Sequence, residues 1–198
     1  MPQRLKLLLA ALAACAALAA CTHKEHWRTD NIDGLMPRLD LKMTDDAGQP
    51  VTGATYRGKT VLLYFGYTNC PDVCPTTLAK LAQALKDTKN HGAGTQVLFV
   101  TVDPKRDTLS RMHEYVHAFG PWFVGLRGTH DELRALTKRY RVTYSYAKPD
   151  KDGNYEVTHS TAVFVFDGTG RSRLLILPRD SAKAISEDLD QLAAQAGS

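Results

Sequence analysis

Val61-Leu62-Leu63-Tyr64-Phe65 is an apolar run that leads within a few residues into Cys70-Pro71-Asp72-Val73-Cys74, then into the stripe Leu78, Leu81, Ala82 and Leu85. The unbroken run fits a strand covered on both faces, and the 3.6-period stripe fits an amphipathic helix whose first turn holds Pro75. A strand buried on both sides needs helices on both, which confines the chain to α/β architectures. The cysteines fall between strand and helix. Residues four apart share a helix face, so both sulfurs can point one way, and the Cα separation across one turn lies inside the about 4.4–6.8 Å window of a disulfide. The spacing therefore permits either a two-thiolate metal clamp or a reversible dithiol. Cys74, at the helix N-terminus, is expected to have a depressed thiol pKa.

Periods of two and of 3.6 alternate along the rest of the chain. Leu39 to Met43 alternates and ends in the turn Asp45-Asp46-Ala47-Gly48, and Val97 to Val102 predicts a second buried strand. Asp107 is expected to cap the next helix, with Met112, Tyr115, Val116 and Phe119 inward. Thr129 and Glu132 form a capping box for a helix through Tyr140. Val163 to Phe166, the turn Asp167-Gly168-Thr169-Gly170 and Leu174 to Leu177 predict a hairpin stopped by Pro178, and Ile185, Leu189 and Leu192 face a closing helix. A strand, a helix and a parallel strand, then a hairpin and a helix, describe a thioredoxin-like α/β fold: a central mixed sheet flanked by helices, with a β-hairpin insertion. Parallel sheets work at the carboxyl ends of their strands, where both Cys70 and Asp103 fall.

Residues 1–20 read as a lipoprotein signal peptide, with Arg4 and Lys6 at its start, Leu7 to Leu18 as its apolar middle and Leu18-Ala19-Ala20-Cys21 as the cleavage box. Acylated Cys21 would then hold the protein on a lipid membrane, at the periplasmic face of a bacterial cell. Residues 21–38 are polar and aperiodic and predict a flexible tether, in which His23 and His26 are solvated, while residues 39–198 form one domain. Only Cys70 and Cys74 then remain as thiols, too few for a disulfide scaffold. The formal charge of +4 falls by two when the leader, with its Arg4 and Lys6, is removed. The densest basic spot is Arg139-Tyr140-Arg141, so no nucleic-acid partner is expected.

Three blocks carry a family resemblance: Tyr64-Phe65-Gly66-Tyr67-Thr68-Asn69-Cys70-Pro71-Asp72-Val73-Cys74-Pro75, then Val102-Asp103-Pro104-Lys105-Arg106-Asp107-Thr108, then His159-Ser160. In this order they resemble the Sco/SenC family. The resemblance implies a copper-binding protein that delivers Cu(I) or Cu(II) to the dinuclear copper site of cytochrome c oxidase. It implies Cys70, Cys74 and His159 as metal ligands, Cys70 and Cys74 as a redox-active pair, and partners that include the oxidase copper-site subunit and a periplasmic thioredoxin-like reductant or copper donor. Thr158 stands where the family pattern has an acid, and Leu109-Ser110 where it has Pro-Glu. Thiolates select soft Cu(I), and adding one imidazole makes a three-donor set that also holds Cu(II), whereas zinc wants a fourth ligand. Asp103 is expected beside the histidine or a cysteine as an outer support, and Lys148 to Tyr155 as the mobile loop before His159. Tyr64 and Phe65 are expected in the core and Tyr67 at the rim. The alternative is a thiol-disulfide oxidoreductase acting on the oxidase cysteines, which needs Cys70 and Cys74 but not His159.

His113-Glu114-Tyr115-Val116-His117 matches the zinc-protease helix pattern, but Phe123 stands where its third histidine would be. Two imidazoles leave the ion without a tripod, and a protease is not expected.

Overall fold

The computed structural model describes residues 26–196. The expected leader, Cys21 and the first part of the tether lie outside them. Among the described residues no helix is long and apolar enough to cross a membrane.

Strand β1 (Asp30–Asn31) precedes β2 (Lys42–Asp45), β3 (Pro50–Thr52) and a short 3-10 turn at Gly53–Tyr56. Then follow β4 (Thr60–Gly66), α1 (Val73–Asp87), β5 (Thr95–Thr101), α2 (Leu109–His117), β6 (Phe123–Arg127) and α3 (His130–Arg139). The chain closes with β7 (Tyr144–Tyr146), β8 (Val157–His159), β9 (Val163–Phe166), β10 (Ser172–Ile176) and α4 (Ala182–Ala196). The main sheet has the order β1-β10-β9-β4-β5-β6-β2-β3, and β7 and β8 pair apart from it. β4, β5 and β6 are parallel, and β9 joins β4 antiparallel. This is the expected thioredoxin-like mixed sheet, with the expected hairpin formed by β9 and β10 within it, while β7 and β8 form a further hairpin that the sequence reading did not place.

Val61 to Phe65 are fully buried because both sheet faces are covered. Tyr64 lies opposite Val163 and Leu63 opposite Phe164, so Tyr64 and Phe164 face opposite sides. On the Tyr64 side the rings of Phe99 and Tyr115 continue the packing, with Tyr115 carried by α2 and its ring 5.6 Å from that of Phe99. On the other side Tyr140, at the end of α3, packs on Phe164 and Phe166. Helix α4 docks against α1. The capping box at Thr129 and Glu132 forms as expected.

Two expectations fail here. The segment read as a tether is docked over its second half: the Arg28 and Thr29 amides and the Thr29 hydroxyl donate to the Asp188 carboxylate on α4 at 2.7–3.1 Å, and Asp30–Asn31 pairs with β10. A buried carboxylate needs donors, and this polar stretch supplies them. Helix α2 is capped by Thr108, whose side chain accepts the Arg111 amide, and not by Asp107.

Candidate metal centre

Cys74 is the second residue of α1 and is fully buried, while Cys70 in the preceding loop is half-buried. Both are free thiols. The close fit at the end of β4 requires Gly66, since a Cβ there would lie 2.8 Å from Cys74 Sγ and 2.7 Å from the Phe99 ring. The Tyr64 hydroxyl donates to Cys74 Sγ at 3.7 Å, so this ring touches the centre as well as filling the core.

The expected depressed pKa of Cys74 is not found. Burial pushes this thiol up to about 12, beyond what its hydrogen bonds recover. The helix N-terminus serves its neighbour instead: the Cys74 amide donates to Cys70 Sγ at 3.4 Å. Position in a helix argued for one sign, and removal from water imposed the other.

His159 ends β8 and lies opposite Tyr144 of β7. Its Nε2 stands 3.4 Å from Cys74 Sγ, and the ligand atoms of Cys70, Cys74 and His159 all lie within 4.8 Å of one another. A sulfur and a nitrogen bound to one ion at about 2.3 and 2.0 Å stand about 3.8 Å apart in a trigonal plane, so little movement is needed. Nδ1 is 3.0 Å from the Ser160 carbonyl, which can only accept, so Nδ1 carries the proton and Nε2 keeps its lone pair toward the sulfur. The orienting role that an acid at position 158 would have is thus taken by a main-chain oxygen. The Tyr67 and Tyr64 rings meet the imidazole edge-on at 5.8 and 6.1 Å. Tyr67, expected at the rim, is 3% exposed because the hairpin covers it.

Burial lowers the pKa of His159 below its ordinary 6.5, so the folded chain resists a proton that the unfolded chain accepts. The metal-free chain is therefore expected to lose stability as pH falls below about 6.5, until the pH reaches the lowered folded value. Thermal melts from neutral pH to about pH 5 check this. His159→Gln should flatten the profile over that range, and an unchanged slope in the variant would assign the acid sensitivity elsewhere.

Asp103 contacts neither the histidine nor a cysteine, contrary to expectation. It is fully buried and accepts the Tyr155 hydroxyl at 2.8 Å and Arg106 Nε. Arg106 in turn donates to the Tyr155 carbonyl at 2.9 Å and lies 3.7 Å over the Tyr155 ring. Tyr155 belongs to the β7–β8 hairpin, so Asp103 and Arg106 anchor the element that carries His159. The Asp152-Gly153 turn sits at the hairpin tip, with Gly153 at φ +82°.

Sequence reasoning missed Asp107. Fully buried, it accepts the Thr68 amide at 3.1 Å, the Thr68 hydroxyl at 2.6 Å and the Thr101 hydroxyl at 2.5 Å. It ties the loop that leads to Cys70 to the end of β5. Its place beside Pro104-Lys105-Arg106 made it look like a cap, and only the converging hydroxyls reveal the clamp.

The SCO1/SenC family model matches residues 38–194. The chain belongs to the SCO1/SenC family. Its similarity to the mouse mitochondrial protein SCO2 homolog is 36% identity over 178 residues, covering 84% of this chain and 70% of that one. The copper-bound structure of Arabidopsis thaliana ScoI superposes with a TM-score of 0.73 at 31% identity, covering 80% of this chain and 98% of that one. Apo Sco1 from Thermus thermophilus gives 0.71 at 35% identity, covering 87% and 99%. SCO1/SenC membership and the thioredoxin-like fold therefore agree with the sequence reading.

Proposed function

We propose that this chain binds copper through Cys70, Cys74 and His159 and delivers it to the dinuclear copper site of cytochrome c oxidase during assembly. In this reading it works at the periplasmic face of a bacterial membrane, held there by acylated Cys21. The observation that carries it is the 3.4 Å approach of His159 Nε2 to Cys74 Sγ, with Cys70 in the same cluster. Two sulfurs and one imidazole suit Cu(I) and also accommodate Cu(II). The copper-bound Arabidopsis and yeast relatives support copper as the ion.

Copper enters as cargo. With its pKa near 12, Cys74 is a thiol at neutral pH, so copper taken up as a thiolate complex displaces a proton. The half-exposed Cys70 lets a partner's ligand approach, and release by exchange at that sulfur follows. A disulfide offers no thiolate, so a thioredoxin-like reductant must act before loading.

Anaerobic titration tests the linkage. The reduced chain should take up one equivalent of Cu(I) with proton release, the disulfide form should take up none at this site, and deletion in cells should lower the oxidase's copper content. Equal uptake by the two redox forms would overturn the proposal.

The second reading, a reductase of the oxidase cysteines, draws on the half-buried Cys70 sulfur, which accepts the Cys74 amide in the first turn of α1. It needs both cysteines and predicts turnover that survives loss of His159.

A further inference from the structure

His113 and His117 lie four residues apart on one face of α2, and Asp46, from the turn after β2, reaches the same place. Asp46 Oδ2 stands 3.4 Å from His117 Nε2 and 3.8 Å from His113 Nδ1, and the two imidazole centroids are 4.2 Å apart. The ligand atoms of all three fall within 4.8 Å of one another. The Asp46 side chain is 5% exposed, whereas those of His113 and His117 are 55% and 39% exposed. A buried carboxylate beneath two half-open imidazoles makes a cup that faces solvent.

The turn is built to hold that carboxylate in place. Asp45 Oδ1 accepts the Ala47 and Gln49 amides at 3.0 and 2.7 Å, which closes the turn and leaves Asp46 to point inward. Asp46 Oδ2 accepts the Gly125 amide of β6 at 3.1 Å. A Cβ at Gly125 would lie 3.3 Å from Asp46 Cβ and 3.0 Å from Met112 Cε, so the missing side chain makes room for the acid to meet α2.

We propose that Asp46, His113 and His117 form a second metal site, which takes a divalent ion of the zinc or cupric class. The helix pattern H-E-x-x-H supplies two ligands but no tripod of its own. The structure completes the tripod from a different element, while Phe123 is buried in β6. Imidazole nitrogen and carboxylate oxygen bind zinc at about 2.0–2.2 Å, which sets neighbouring donors in a tetrahedron about 3.4 Å apart. The His117–Asp46 distance matches this, and the His113–Asp46 distance needs a small closure. The fourth position opens to water, so the ion is exchangeable. The donors are nitrogen and oxygen here and mainly sulfur at the first centre, so Cu(I) prefers the first centre and zinc the second.

The test uses the full chain carrying Cys70→Ser, Cys74→Ser and His159→Ala, titrated with Zn(II) against a chromogenic chelator. This background should bind Zn(II) at the second site. Adding His117→Ala, or Asp46→Asn, should weaken that binding by on the order of 10–100-fold or more, with thermal melts confirming the fold. Asparagine keeps an acceptor for the Gly125 amide, and the exposed His117 ring can be removed without disturbing the core. Binding of equal strength with and without these substitutions would place the zinc on other histidines and overturn the proposal. So would a folded background chain that binds no Zn(II) at micromolar concentrations. The first centre is absent from every arm, so neither result bears on the copper proposal.

Discussion

Replacing His159 with alanine is expected to lower Cu(I) affinity by about 100-fold or more while leaving Cys70 and Cys74 able to cycle between dithiol and disulfide. The imidazole is one of three donors within 4.8 Å, and its ligand nitrogen is already oriented by the Ser160 carbonyl, so little ordering entropy opposes its binding. Loss of an outer support alone costs a metal site about 10–100-fold, and loss of a ligand costs at least the upper end of that range. Asp103→Asn is expected to fall between, since it weakens the anchor of the hairpin without removing a donor. The measurement is a competition titration against a Cu(I) chelator, run beside the rate of thiol oxidation. A carrier loses copper affinity and oxidase assembly together. A variant that loses neither, yet still turns over as a reductase, would leave His159 without a role in copper binding and favour the oxidoreductase reading.

Asp107→Ala is expected to destabilise the domain by about 3 kcal/mol, a fall of about 6–12 °C in Tm for a domain of this size. Alanine would take away the fully buried acceptor of three donors, the amide and hydroxyl of half-buried Thr68 and the hydroxyl of fully buried Thr101. Each orphaned buried donor costs about 1–3 kcal/mol, reduced where a hydroxyl can turn to another acceptor. Thr68 stands two residues before Cys70, so copper affinity should fall as well. Scanning calorimetry and the same competition titration check both effects. A Tm within about 2 °C of the parent would mean that the clamp is not structural.

Much of this fold is legible in hydrophobic pattern. The run Val61 to Phe65, the stripe on α1, the capping box at Thr129 and the closing hairpin each follow from a period or a turn within about ten residues. The cysteine pair and His159 were legible as a family pattern, and the structure brings their side chains together. Where the reading failed, the deciding partner was remote. Thr29 gave no periodic signal because its docking depends on Asp188, far along the chain. Asp103 was placed on the right strand end but assigned the wrong neighbours, because Tyr155 comes from the hairpin.

Local order and composition were enough to establish an α/β domain with two thiols at the mouth of a parallel strand, because periodicity and chain reversal are properties of neighbours. They could not assign the protonation of Cys74, the true task of Asp107, or the meeting of Asp46 with His113 and His117. Those depend on how much water each group loses and on which groups from other elements replace it. Desolvation and satisfaction of buried polar atoms exist only once the layers are packed.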